Sequence, residues 1–75
     1  MKSIQINLSV AESVKKFVNV VSNYDCDIDL RSGRYVVDAK SILGIFSLDL
    51  SKPIKVEVHT EDYAEFYNKV KVFEV

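Results

Sequence analysis

The chain has 75 residues, with ten Lys and Arg against eleven Asp and Glu, a formal charge of −1, 48% hydrophobic residues, two Gly and one Pro. A chain of this length buries only about 60% of the surface its unfolded form exposes, which leaves room for one core and none for a second domain or a deep substrate cavity. The balanced charge, with no basic tract, argues against a nucleic-acid binder, and one Cys with one His can build neither a disulfide nor a zinc site of the usual kind. No metal or cofactor is expected. The opening residues alternate polar and apolar instead of forming a signal core, and no apolar span long enough to cross a membrane follows. The expectation is one soluble, cytoplasmic domain over residues 1–75, with no membrane insertion.

Ile4, Ile6 and Leu8 alternate with Ser3, Gln5 and Asn7, which predicts a first strand over 2–8. The period then lengthens: Val10, Val14, Phe17, Val18 and Val21 fall at helical spacing and predict a helix over 10–22. Ser9-Val10-Ala11-Glu12 reads as a capping box at its start. Alternation returns at Asp25, with Cys26, Ile28 and Leu30 on one stripe and Asp25, Asp27 and Asp29 on the other. Arg31-Ser32-Gly33-Arg34 supplies a turn, and Tyr35-Val36-Val37 a third strand closing a hairpin. Ser41 to Leu48 is too apolar for a loop and predicts a short, partly exposed helix. Pro53 opens a fourth strand, Ile54 to His59. Thr60-Glu61-Asp62 offers a cap for a last helix, on which Tyr63, Phe66, Tyr67 and Val70 repeat to about residue 73. Each strand carries a single apolar stripe, so helices should cover one sheet face and leave the other to water.

Few residues suggest chemistry. His59 falls on a polar stripe, as a solvated sheet residue would. Asp25, Asp27 and Asp29 resemble the opening of a calcium loop, but Leu30 and Val36 stand where its Gly and Glu would be needed. Cys26 lacks an adjacent base and reads as a buried structural thiol. No catalytic triad, carboxylate pair or phosphate-cradling glycine motif is present, so the chain does not read as an enzyme. Ser41 is the exception of interest: a hydroxyl at a helix start, followed by Ile42, Leu43, Ile45 and Phe46 on a stretch too short to bury them all. Its plain use is as a cap. A phosphate there would be favoured by the helix dipole and would set negative charge beside an apolar patch, enough to switch a partner interface.

Ala39-Lys40-Ser41-Ile42-Leu43-Gly44-Ile45-Phe46-Ser47-Leu48 resembles the regulatory-serine motif, Lys-Ser-Ile-Met-Gly-Val-Met-Ser-Leu, of the HPr family, the histidine-containing phosphocarriers of the bacterial phosphoenolpyruvate-dependent sugar phosphotransferase system. Ser22-Asn23-Tyr24-Asp25 and Asp27-Ile28-Asp29-Leu30 are similar to the family's second-strand region, so the resemblance runs from about Ser22 to Thr60. It implies an α+β fold, the open-faced β-sandwich β-α-β-β-α-β-α, with a four-stranded antiparallel sheet in the order 1-4-2-3 and three helices on one face.

The sequence departs from the family where the family does its chemistry. Phosphocarriers carry Gly-x-His-Ala-Arg-Pro-Ala at the start of the first helix, whereas this chain has Leu8-Ser9-Val10-Ala11-Glu12-Ser13-Val14. In that register Val10 takes the phosphohistidine position and Glu12 the arginine position. Valine has no nucleophilic atom and Glu12 repels a phosphoryl group, so the phosphocarrier reaction is expected to be lost. The resemblance then implies a regulatory or protein-interaction module of sugar uptake. Ile42, Leu43, Ile45 and Phe46 are its candidate anchors, Lys15, Lys16 and Lys40 a positive rim, and Ser41 a candidate phosphosite. Its candidate partners are Enzyme I, the sugar-specific phosphotransferase components, HPr kinase and a catabolite-control regulator. Two rival readings are a phosphocarrier with a non-histidine acceptor and a fold recruited outside sugar transport.

Overall fold

The computed structural model describes residues 2–75. Four strands, β1 (Lys2–Ile6), β2 (Ile28–Ser32), β3 (Tyr35–Asp38) and β4 (Ile54–Val58), form one antiparallel sheet in the order β1-β4-β2-β3. Three helices, α1 (Ala11–Val21), α2 (Ile42–Phe46) and α3 (Tyr63–Val70), lie on one face, as the single apolar stripes predict. The register explains why: Ile4 pairs with Val56, and Val56 with Leu30, so the three side chains line one face and all are buried. Phe17 of α1 and Phe66 of α3 close over them. Each is fully buried and contributes about 1.5–3 kcal/mol relative to an exposed ring. No helix of the described residues is long and apolar enough to cross a membrane.

Element ends depart from the sequence reading for local reasons. β1 stops at Ile6 because the Asn7 N–H donates to Phe73 O (2.8 Å), turning the chain toward the C-terminal segment while Leu8 remains in the core. β2 begins at Ile28, since its partner β4 ends at Val58; beyond it only the His59 N–H reaches Asp27 O (3.0 Å). Cys26 therefore lies before the strand, half-buried, packed against the margin of the core and not inside it. Arg31 and Ser32 belong to β2, and the hairpin turn shrinks to Gly33-Arg34. Gly33 supplies the left-handed φ of +58° that the first central position of a type II′ turn requires. After α3 the chain tightens into a 3₁₀ turn, Lys71–Phe73, which sets the Phe73 ring edge-on to Phe17 with centroids 5.6 Å apart.

Candidate functional site

The start of α1 is exposed and unaided by any side chain. Val10 is the N-cap, extended at φ −121° and ψ 149°, and 56% exposed. The Ser13 and Val14 amides both donate to Val10 O, at 3.1 and 3.3 Å, but no side chain caps the helix. The capping box expected at Ser9 and Glu12 does not form. Ser9 stands one residue too early, its own amide bonded to Asn7 Oδ1 (3.1 Å), and Glu12 turns along the helix to Lys16 Nζ at 3.5 Å. The carboxylate of Glu12 nevertheless sits in the first turn, where the helix dipole favours a negative charge.

α2 begins differently. Ser41 is its N-cap and its Oγ accepts from the Gly44 N–H (3.2 Å), the role the sequence assigned to it. Gly44 is required by close approach: a Cβ there would meet Ser41 Oγ at 3.2 Å and Val37 Cβ at 3.4 Å, so its bare backbone lets α2 settle against β3. At the far end Ser47 Oγ donates to Gly44 O (2.5 Å). Of the four candidate anchors, Leu43 is 80% exposed, Phe46 is 44% exposed and Ile42 is half-buried. Ile45 is corrected. It is fully buried, because a one-turn helix must commit one side chain to the core to be held at all.

The candidate cations also divide. Lys15 and Lys16 are exposed on α1. Lys40 is not a rim cation: its Nζ donates to the carbonyls of Tyr24 and Cys26, the latter at 3.2 Å, and so ties the loop between α1 and β2 to the end of β3. A charged donor satisfying two carbonyls has a structural task.

His59 follows β4 on the open face of the sheet. Its Nε2 lies 3.9 Å from Asp29 Oδ2, on the side away from the helices. Beside it is a residue that sequence reasoning passed over. By alternation Glu57 falls on the polar stripe of β4 with Lys55 and His59, yet it is only 6% exposed, in the middle of that face. Arg31 Nε and Nη2 donate to its Oε1 at 3.3 and 3.2 Å and Lys55 Nζ lies 3.6 Å from Oε2, so the guanidinium, aided by the ammonium, holds its carboxyl below the usual carboxylate range. Only the register β4 to β2, which brings Arg31 opposite Lys55 beside Glu57, could have revealed this. Tyr24, in the loop after α1, donates to Glu65 Oε2 of α3 (2.7 Å); burial, then this bond, pushes its hydroxyl up to about 12.

A sheet of order β1-β4-β2-β3 under three helices, with an exposed first-helix terminus and a serine-capped second helix, is an open-faced β-sandwich. The family model described as the phosphorylation site of the PTS HPr component matches residues 10–71, and the chain belongs to the HPr family. Proteins of this family are not themselves enzymes, and they interact with other phosphotransferase-system proteins. Among solved structures the chain is similar to HPr-C-His from Thermoanaerobacter tengcongensis, with a TM-score of 0.80, 26% identity, and coverage of 96% of this chain and 89% of that one. It is also similar to the phosphocarrier protein HPr from Bacillus anthracis str. Ames, with a TM-score of 0.73, 25% identity, and coverage of 99% and 94%. No curated protein matches the sequence significantly.

Proposed function

We propose that this HPr-family protein is a regulatory docking module of phosphotransferase-dependent sugar uptake that carries no phosphoryl group on its first helix. The observation behind the reading is Val10. It caps α1, more than half exposed, and the resemblance aligns it with the family's histidine and Glu12 with the arginine two residues on. An alkyl side chain has no lone pair to attack phosphorus, and the first-turn carboxylate opposes an incoming phosphoryl group. The only histidine in the sequence, His59, is on the opposite face of the sheet, its Nε2 3.9 Å from Asp29 Oδ2.

What remains for a partner is the exposed apolar side chains of Val10 at the start of α1 and of Leu43 and Phe46 on α2, two helices in contact, with the half-buried Ile42 and the exposed Lys15 and Lys16 on the same elements. Enzyme I, a sugar-specific component, HPr kinase and a catabolite-control regulator are the partners this surface is proposed to meet. Ser41 is its proposed switch. A phosphoserine there can still accept from the Gly44 amide through a phosphate oxygen, so added charge alters the docking surface without unwinding the helix.

Incubation with phosphoenolpyruvate and Enzyme I, followed by intact-mass measurement, tests the reading. No mass gain is expected, and one phosphoryl group, mapped by fragmentation to residues 8–14, would overturn it in favour of a non-histidine acceptor. The double variant Val10→His, Glu12→Arg should acquire the group, and its failure to do so would remove Enzyme I from the partners. With HPr kinase and ATP, a mass gain abolished by Ser41→Ala supports the switch. Ser41→Asp keeps an N-cap acceptor, so weaker capture of a partner by Ser41→Asp or Phe46→Ala reports on the surface and not on unfolding.

A further inference from the structure

The two edges of the sheet are treated differently. Along β1 the C-terminal segment supplies a partner: Asn7 N donates to Phe73 O, Val75 N donates to Gln5 O (3.2 Å), and Ile6 bridges Glu74. Along β3 no described segment pairs with the outer edge. This edge is also apolar, with Tyr35 71% and Val36 45% exposed. An unpaired, apolar edge strand is a template for another strand, and natural sheets cover such edges, blunt them or use them.

The direction of the backbone groups fixes which register a second strand could take. The Ala39 N–H donates to Ile28 O of the neighbouring chain segment (2.9 Å), and backbone groups alternate along an antiparallel strand. Tyr35 and Val37 therefore bond inward to β2, while Val36 and Asp38 turn their N–H groups outward. Pairing β3 with itself antiparallel about Val36 uses those outward groups. Val36 then faces Val36, with two mutual N–H to carbonyl bonds, and Arg34 of each copy faces Asp38 of the other. Arg34 is exposed and has no ion pair among the described residues. Asp38 is exposed as well; its Oδ1 accepts from the Lys40 N–H (2.9 Å) and its carbonyl from the Ser41 N–H (3.0 Å), which leaves its own N–H and Oδ2 for a partner, and it sits directly opposite Asp29 across the β2–β3 ladder. Like charges so placed repel, and a guanidinium arriving from outside neutralises them.

We propose that β3 is a self-association strand, through which two copies of this chain pair antiparallel with Val36 on the two-fold axis and Arg34 of each copy against Asp38 of the other. The interface is isologous, so it closes at two copies and does not grow into a filament. It is short, so the dimer is weak, with a dissociation constant in the micromolar to millimolar range. It uses neither α1 nor the exposed side chains of α2, and it stands or falls independently of the docking reading above.

Sedimentation equilibrium of the full chain over a concentration series tests it. The native chain should dimerise, less strongly at high salt. Val36→Pro removes an outward N–H that β2 does not use, so it should leave the hairpin folded and the protein monomeric. Arg34→Asp and Asp38→Arg each convert two attractive pairs to repulsive ones and should each weaken self-association by about tenfold or more. Mixing these two variants creates a heterodimer in which both pairs are again attractive, so the mixture should associate at least as well as the native chain. That mixing result keeps the test decisive should the proline variant misfold, because each single variant is checked by its circular dichroism. A native chain that stays monomeric throughout, a dimer indifferent to Val36→Pro, or a mixture no tighter than its components would each overturn the proposal.

Discussion

The starts of α1 and α2 solve the same problem in opposite ways. Both present backbone N–H groups that the helix itself cannot satisfy. At α2 the Ser41 hydroxyl takes one of them, whereas at α1 the capping position holds Val10, which offers nothing. The difference follows from what holds each helix down. α1 has eleven residues and drives Val14, Phe17 and Val21 into the core, so an uncapped end, worth about 1 kcal/mol, is tolerable. α2 has five residues and one buried side chain, Ile45, so it depends on its cap and on the close approach that Gly44 allows. In this chain the end that lacks a cap is also the end that exposes Val10 and the Glu12 carboxylate.

The largest expected effect attacks the anchors. Ile45→Ala should cost about 2–5 kcal/mol and Phe17→Ala about 3–5 kcal/mol in urea unfolding. Their hydrogen-exchange patterns should differ. Loss of Ile45 removes the only buried side chain of α2, so the Ile45 to Leu48 amides should open locally ahead of the rest. Loss of Phe17 leaves Val14 and Val21 in place, so α1 should open only with the whole domain. Local fraying of α1 in Phe17→Ala would break the contrast. Leu43→Ala, four-fifths exposed, should stay within about 0.5 kcal/mol of the native chain.

The same contrast marks what the sequence could and could not tell. Strand and helix types, the sheet order and the Ser41 cap were legible, because periodicity and cap chemistry are local and the family resemblance supplied the topology. The Ser9–Glu12 box failed because the pattern was right but one residue out of phase with the helix, and a cap tolerates no such offset. Ile45 and Lys40 were misjudged for a common reason. On a one-turn helix and its flank, only the tertiary arrangement decides which apolar side chain turns inward and which cation meets loop carbonyls. Glu57 escaped notice because alternation labels a face as wet without saying that Arg31 and Lys55 will fold over its middle residue.

Swapping the caps should sharpen the comparison at a smaller scale. Ser41→Ala leaves the Gly44 amide without its acceptor and should cost about 1 kcal/mol, whereas Val10→Ser supplies an acceptor that α1 lacks and should stabilise by about 0.5–1 kcal/mol. Opposite signs in denaturant midpoints at unchanged m would confirm the two ends as capped and uncapped. Equal and negligible effects would mean that solvent already serves both ends alike.

The smallest effect belongs to Glu12. Its carboxylate lies in the first turn of α1 and 3.5 Å from Lys16, but both side chains are more than two-thirds exposed, so water and salt screen the pair. Glu12→Gln should therefore cost about 0.3–0.5 kcal/mol at low ionic strength and almost nothing in molar salt. Thermal melts at the two salt concentrations measure this directly. A loss above about 1 kcal/mol that survives salt would mean that Glu12 binds a backbone amide after all. The uncapped start of α1 would then be capped by its own acid, and the contrast with Ser41 would narrow to one of residue type.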